Sequence, residues 1–278
     1  MIRVQGLTKD YDGKRALDGV TFEIPAGQIC GYLGPNGAGK STTVKILCGM
    51  LRPSAGEASV AGFDVGRDPI EVKRRIGYVP EQGTLYGSLT PHEFLSLICE
   101  LFAIEPAEIG DRIARYLRLF DLSATAQQRI ETLSKGMRQK LLISAALIHD
   151  PQVLLMDEPL DGLDVYSARL VKDLMRNLAA EGKTILYSSH VLDVVQRMCD
   201  RVIILHRGRV VADAPTQELL GRGSDASLED VFQSLTCSPE QQQLANELIA
   251  ALRQGGAAAA LAAAGRDAAA DASTEDRP

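Results

Sequence analysis

"QICGYLGPNGAGKSTTVKILCGM", residues 28–50, runs from an apolar stretch through a Gly-rich loop into a helical pattern. "QICGYL" reads as a buried strand and "KSTTVKILCGM" as a helix, so the segment is strand, loop, helix. Inside it, "GPNGAGKST" matches G-x-x-x-x-G-K-[ST], a pattern that carries meaning when a strand precedes it and a helix follows. Glycines let backbone N–H groups curl around phosphate oxygens. Lys40 adds positive charge at the β- and γ-phosphates, and Ser41 reaches Mg²⁺. Gly34, Pro35, Asn36, Gly37, Ala38, Gly39, Lys40, Ser41 and Thr42 are therefore the candidate triphosphate site. The competing reading is a Gly-rich turn that only caps a helix.

Outward from this unit, "IRVQGLTKDY", "VTFEIPAGQICGYLG" and "GEASVAGFDV" are β-rich runs split by turns. Helical spacing takes over from Pro91, a first-turn proline, and Ile109, Ile113, Leu117 and Phe120 keep a three-to-four-residue period. Strand signals return after Pro151 as "VLLMD", "TILYSS", "RVIIL" and "RVVAD", with helices between the first three. Continuous apolar strands separated by helices predict a mostly parallel sheet covered on both faces. The fold expected is α/β, with an N-terminal antiparallel part and a helical block, about residues 84–150, inserted between two parts of one domain.

"VLLMDEP", residues 153–159, is a buried strand that ends in two carboxylates. Open α/β sheets place ligands at strand ends. Beside a phosphate loop, Asp157 is placed to serve hydrated Mg²⁺ and Glu158 to orient and deprotonate an attacking water. His190 follows "TILYSS" at another strand end on the same edge, where it is either structural or part of the site. "LSKGMRQK", residues 133–140, puts a Ser, a Gly and basic side chains before the apolar "LLISAALIHDP". It is either a plain helix cap or half of a second phosphate site, since free N–H groups at a helix start attract anions.

Bulk properties bound the rest. With 278 residues the chain is long enough for one large domain or two modest ones. A net charge of −6 gives no electrostatic reason to bind nucleic acid, while leaving room for a local basic patch. Cys30, Cys48, Cys99, Cys199 and Cys237 form no C-x-x-C pair, so reduced thiols are expected rather than zinc or a disulfide framework. The N-terminus has no apolar leader, and no stretch reaches the ~18 apolar residues of a membrane span. "SPEQQQLANELIAALRQ" is expected as one short helix, and the Ala-rich end beyond it as frayed or disordered.

The order of phosphate loop, "LSKGMRQK", "VLLMDEP", "DGLD" and strand-end His resembles the nucleotide-binding subunit of ATP-binding cassette transporters, over about residues 1–235. What the resemblance implies is specific. The fold is that of a P-loop NTPase, with residues 1–235 as the ATP-binding domain and 236–278 as a C-terminal helix and tail. Tyr11 stacks on adenine. "LSKGM" is similar to the family signature L-S-G-G-Q, keeping Ser134 and Gly136 but with Lys135 for Gly and Met137 for Gln. Ser134 and Gly136 then face the nucleotide of a second cassette, with Gly136 allowing close backbone approach, and Asp164 joins the two subunits' sites. His190 touches the γ-phosphate. Glu81 stands where the family carries a Mg²⁺-sensing glutamine, with Gln82 next. Partners and location also follow: ATP and Mg²⁺, a homodimer or a heterodimer with a related ATPase subunit, and a membrane-spanning permease on a separate chain. The chain would sit peripherally at the cytoplasmic face of the cell membrane. "TLYGSLTPHEFL" and "SLEDVFQSL" are similar to exporter-type families. A cassette ATPase acting on ribosomes or DNA is the rival. Those relatives carry two cassettes, a long coiled coil or a zinc-binding insertion, and this sequence has none of them.

Overall fold

Two sheets share the work of burying the apolar runs. The computed structural model describes residues 1–83, 85–221 and 226–236. The expected C-terminal helix, the Ala-rich end and Cys237 lie outside them. Met1–Leu235 forms one compact unit. Its elements begin with β1 (Ile2–Tyr11), β2 (Lys14–Ile24), β3 (Ile29–Leu33), α1 (Lys40–Leu47), β4 (Ala55–Val60), β5 (Phe63–Asp64), α2 (Pro69–Arg75) and β6 (Ile76–Val79). Then come α3 (Pro91–Leu101), α4 (Pro106–Leu119) and α5 (Lys135–Leu147). The described residues continue with β7 (Val153–Asp157), α6 (Val165–Ala180), β8 (Thr184–Ser188), α7 (Leu192–Met198), β9 (Arg201–His206), β10 (Arg209–Pro215), α8 (Thr216–Leu219) and α9 (Leu228–Thr236).

The larger sheet runs β10-β9-β3-β8-β7-β6. Pairings from β9 through β6 are parallel, and only β10 is antiparallel to its neighbour. The smaller sheet, β2-β1-β4-β5, is antiparallel throughout. β3, β7 and β8 are buried at every residue, which is why they read as unbroken apolar runs without alternation. The alternation is still there, but both faces are covered. Leu154, Met156, Ile185 and Tyr187 pack into a core with α3 to α7. Val153, Leu155 and Leu186 point the other way, against α1 and the antiparallel sheet.

The helical segment between β6 and β7 follows its sequence signals. Thr90 caps α3 in a reciprocal capping box with Glu93, and Pro91 occupies the first turn. Ile113, Leu117 and Phe120 are buried, and Ile109 packs against them. Cys30, Cys48, Cys99 and Cys199 are buried free thiols. Among the described residues no helix is long and apolar enough to cross a membrane.

The nucleotide cleft

The ends of β3, β6, β7 and β8 open into one cleft of about 570 Å³. β3 stops at Leu33, and Gly34–Gly39 turns the chain into α1. Gly37 and Gly39 have φ of 77° and 111°, a region that glycine enters freely. At Gly39 a side chain would also meet the Ala16 carbonyl at 2.7 Å, so the loop lies tight on β2. Lys40 Nζ donates to the carbonyls of Gly34 (2.5 Å) and Pro35 (3.3 Å). Partial burial pushes the Lys40 pKa down, while Asp157, Glu158 and Glu81 oppose that shift.

The loop and helix contribute Gly34, Asn36, Gly37, Gly39, Lys40, Ser41 and Thr42 to the lining. Pro35 and Ala38 do not line it: Ala38 is buried beneath the loop, and Pro35 serves through its carbonyl. Tyr11 lines the far side and is exposed. Lys14, Arg15 and Ala16 of β2 stand beside it, and the sequence reading did not single them out.

Asp157 ends β7 in register with Ser188 of β8. Burial raises its pKa, Glu81 and Glu158 raise it further, and Ser188 and Lys40 pull it down. Glu81 lines the cleft, whereas Gln82 does not. Three carboxylates thus surround one lysine. Glu158 has a φ of 49°, which costs on the order of 1–3 kcal/mol in a residue with a Cβ. Its N–H donates to the Ser188 carbonyl at 3.0 Å. Its Oε1 accepts from the His190 backbone N–H at 2.7 Å and lies 2.9 Å from His190 Nδ1. Its Oε2 accepts from Ser189 Oγ at 3.1 Å. The "SS" before His190 was the missed signal for Ser188 and Ser189.

Ser134, Gly136 and Asp164 are absent from this cleft and gather elsewhere. Ser134 caps α5, accepting from Met137 N at 3.2 Å. A side chain at Gly136 would stand 2.7 Å from the Gly162 carbonyl, so glycine there is already required inside this chain, before any phosphate approaches. Lys135 Nζ pairs with Asp161 at 2.7 Å, and buried Gln139 donates to the Pro159 carbonyl at 3.1 Å. Asp164 caps α6 through Ser167, whose hydrogen bonds bring the Asp164 pKa down to about 2. Within one chain the signature therefore does not reach its own phosphate loop.

Residues 17–161 match the family described as ABC transporter. The chain is 39% identical over 240 residues to the ABC transporter ATP-binding protein NatA of Bacillus subtilis, covering 84% of this chain and 97% of that protein. It is 39% identical over 218 residues to the daunorubicin/doxorubicin resistance ATP-binding protein DrrA of Streptomyces peucetius, covering 78% and 66%. The fold is similar to a solved ATP-binding subunit of an ABC transporter, with a TM-score of 0.80, 33% identity and coverage of 84% and 99%. It is also similar to the cassette MJ0796 solved as a dimer in a post-hydrolysis state with ADP and phosphate, with a TM-score of 0.73, 27% identity and coverage of 78% and 99%. Family match, relatives and cleft agree: the chain belongs to the ABC transporter family as an ATP-binding, ATP-hydrolysing subunit.

Proposed function

We propose that this subunit powers efflux through a separate membrane-spanning permease, as two cassettes that close on ATP and reopen after hydrolysis. Relatives named for linearmycin resistance and for daunorubicin/doxorubicin resistance support the outward direction, and the dimeric MJ0796 cassettes support the pairing. The working place is the cytoplasmic face of the membrane, held there by the permease. Residues 1–235 form the cassette, with the helical part at about 84–150. The observation that carries the chemistry is the convergence of Lys40, Glu81, Asp157, Glu158 and His190 on one cleft.

Within the cleft, Tyr11 offers a ring face to the base. The loop N–H groups and Lys40 hold the phosphates, and Lys40 exchanges its two carbonyl partners for them. Mg²⁺ fits the residues present: the excess of carboxylates around Lys40, and a buried Asp157 with a raised pKa, favour a divalent cation. Among the described residues no three acidic, His or Cys side chains form a ready metal cluster, which suits an ion that keeps waters and phosphate ligands. Ser41, Asp157 and Glu81 would hold it, and when bound it neutralises charge on the transferring phosphoryl group. Glu158 takes the proton of the attacking water. His190 stands beside this carboxylate, its Nδ1 2.9 Å from Glu158 Oε1.

The test is Glu158→Gln. ATP binding should persist while turnover falls by ~10²–10⁴-fold, the scale for losing a general base. Hydrolysis within a few-fold of wild type would remove Glu158 from this role.

A further inference from the structure

The Glu158 carboxylate is held by residues 189 and 190, and the group that holds Oε2 is a side chain. An ionised carboxylate offers about four acceptor positions, two on each oxygen. Oε1 accepts the His190 backbone N–H, with Nδ1 of the same residue 2.9 Å away. Among the described residues Oε2 accepts Ser189 Oγ alone, so it is the oxygen with room for a proton from water. Ser189 is buried, with 8% exposure, and its hydroxyl also accepts from Val191 N at 3.2 Å. That second bond matters, because it orients the hydroxyl. With a backbone N–H donating into Oγ, the single hydroxyl proton is left to donate to Glu158.

Two restraints therefore meet on one carboxylate. The strained backbone of Glu158, pinned by Ser188, sets where the side chain leaves the chain. Ser189 sets the rotation of the carboxylate plane about its last bond, which is otherwise a broad torsion. From this geometry we infer that Ser189 is a positioning residue for hydrolysis, holding Glu158 Oε2 so that its remaining lone pair meets the attacking water. The inference rests on the reading of Glu158 as the base. Ser189 itself contacts no phosphate in this role, so it acts on turnover and not on nucleotide affinity.

The experiment compares wild type, Ser189→Ala, Ser189→Thr, Ser189→Cys and Glu158→Gln as full-length proteins, reading kcat, KM for ATP, ATP affinity and Tm. Ser189→Ala should lose kcat by roughly tenfold, the scale of one hydrogen bond to a charged group, with KM and ATP affinity within about twofold. Ser189→Thr, which keeps the hydroxyl, should recover most of kcat. Ser189→Cys fills the same space with a weak donor and should resemble Ser189→Ala, so it reports even if the alanine variant folds poorly. In the Glu158→Gln background the alanine change should cost nothing further. Wild-type kcat in Ser189→Ala beside an inactive Glu158→Gln would overturn the role of Ser189 and leave that of Glu158 standing. A raised KM with kcat unchanged, or a threonine variant as slow as alanine, would overturn it equally. An active Glu158→Gln would instead overturn the reading of the base.

Discussion

Ser134 can be made to distinguish a helix cap from a phosphate contact with two substitutions. In the structure its hydroxyl does one visible thing: it accepts the Met137 N–H at the head of α5. Ser134→Ala removes that acceptor, and losing a serine cap costs ~1 kcal/mol. For a unit of this size that lowers Tm by about 2–4 °C. Ser134→Asp keeps a capping oxygen and adds a negative charge to a first turn that has no acidic residue. The helix dipole favours that charge by ~0.3–1 kcal/mol, so the aspartate variant should melt at or above wild type. If Ser134 only caps, the aspartate protein should also hydrolyse ATP normally, because residue 134 does not line its own nucleotide cleft. If Ser134 closes on the γ-phosphate of a second copy, the new carboxylate meets a polyanion there. Hydrolysis should then drop at least ~10-fold with Tm maintained, an effect of the size of unpaired like charge. The assays are thermal melting and steady-state ATPase on both variants. A stable Ser134→Asp protein with wild-type turnover would refute the phosphate reading and leave a plain helix cap.

Gly136→Ala puts a Cβ 2.7 Å from the Gly162 carbonyl, so stability should fall by ~1–3 kcal/mol as in other overpacked sites; an unchanged urea midpoint would show that the 159–164 loop yields freely. Glu81→Ala should harm permease-stimulated hydrolysis more than basal hydrolysis, and equal loss of both, measured in proteoliposomes and in detergent-free solution, would mark Glu81 as a metal-site residue only. Half-buried His149 donates from Nε2 to the Ile76 carbonyl and stacks on Phe102, and partial burial holds its pKa below the ordinary 6.5, against hydrogen bonds to Ile76 and Ala145 and the charge of Asp150. The unfolded chain therefore takes up a proton as pH falls through about 6.5 and the folded chain does not, so stability should decline on acidification until the folded pKa is reached. Melts between pH 7.5 and 5 should show that slope in wild type and a shallower one in His149→Gln; equal slopes would contradict it.

The phosphate loop was legible because its chemistry is contiguous: glycines, Lys40 and Ser41 lie within one strand-loop-helix, and the backbone angles at Gly37 and Gly39 follow from residue type. Asp157, Glu158 and His190 were legible as strand-end residues for the same reason. Strand order was not, since nothing local in "QICGYL" says that β3 lies between β9 and β8. The partners of Glu158 were hidden too: Ser189 is 31 residues away in sequence, and a serine at a strand end carries no signal until β7 and β8 are paired. Gly136 taught a sharper lesson. Its lack of a side chain points to close approach by the nucleotide of a second cassette, and inside the chain a side chain there would also stand 2.7 Å from the Gly162 carbonyl, a constraint that no local pattern around residue 136 reveals. The β2 residues Arg15 and Ala16 reach the cleft only because the antiparallel sheet packs against α1.

The loop from Pro159 to Asp164 ties these two regions together, and magnitudes decide which of its ties matter. Three contacts join it to α5: Gln139 to the Pro159 carbonyl, Lys135 to Asp161, and Lys140 to Asp164 at 3.6 Å. The Lys135–Asp161 pair is exposed at both ends, and such pairs contribute ~0–1 kcal/mol and weaken with salt. Lys135, although it departs from the family signature, is thus a weak link. Gln139 is buried, and a buried amide or carbonyl left without its partner costs ~1–3 kcal/mol. At Gly136 there is no room for a side chain, since a Cβ would stand 2.7 Å from the Gly162 carbonyl. The stiff connection from α5 therefore runs through Gln139 into the peptide that follows Glu158. Glu158 is already held in the left-handed region by Ser188, so it has little backbone freedom with which to absorb a displacement. A displacement of α5 would therefore act on the turn carrying the carboxylate, through Gln139 and the Pro159 carbonyl.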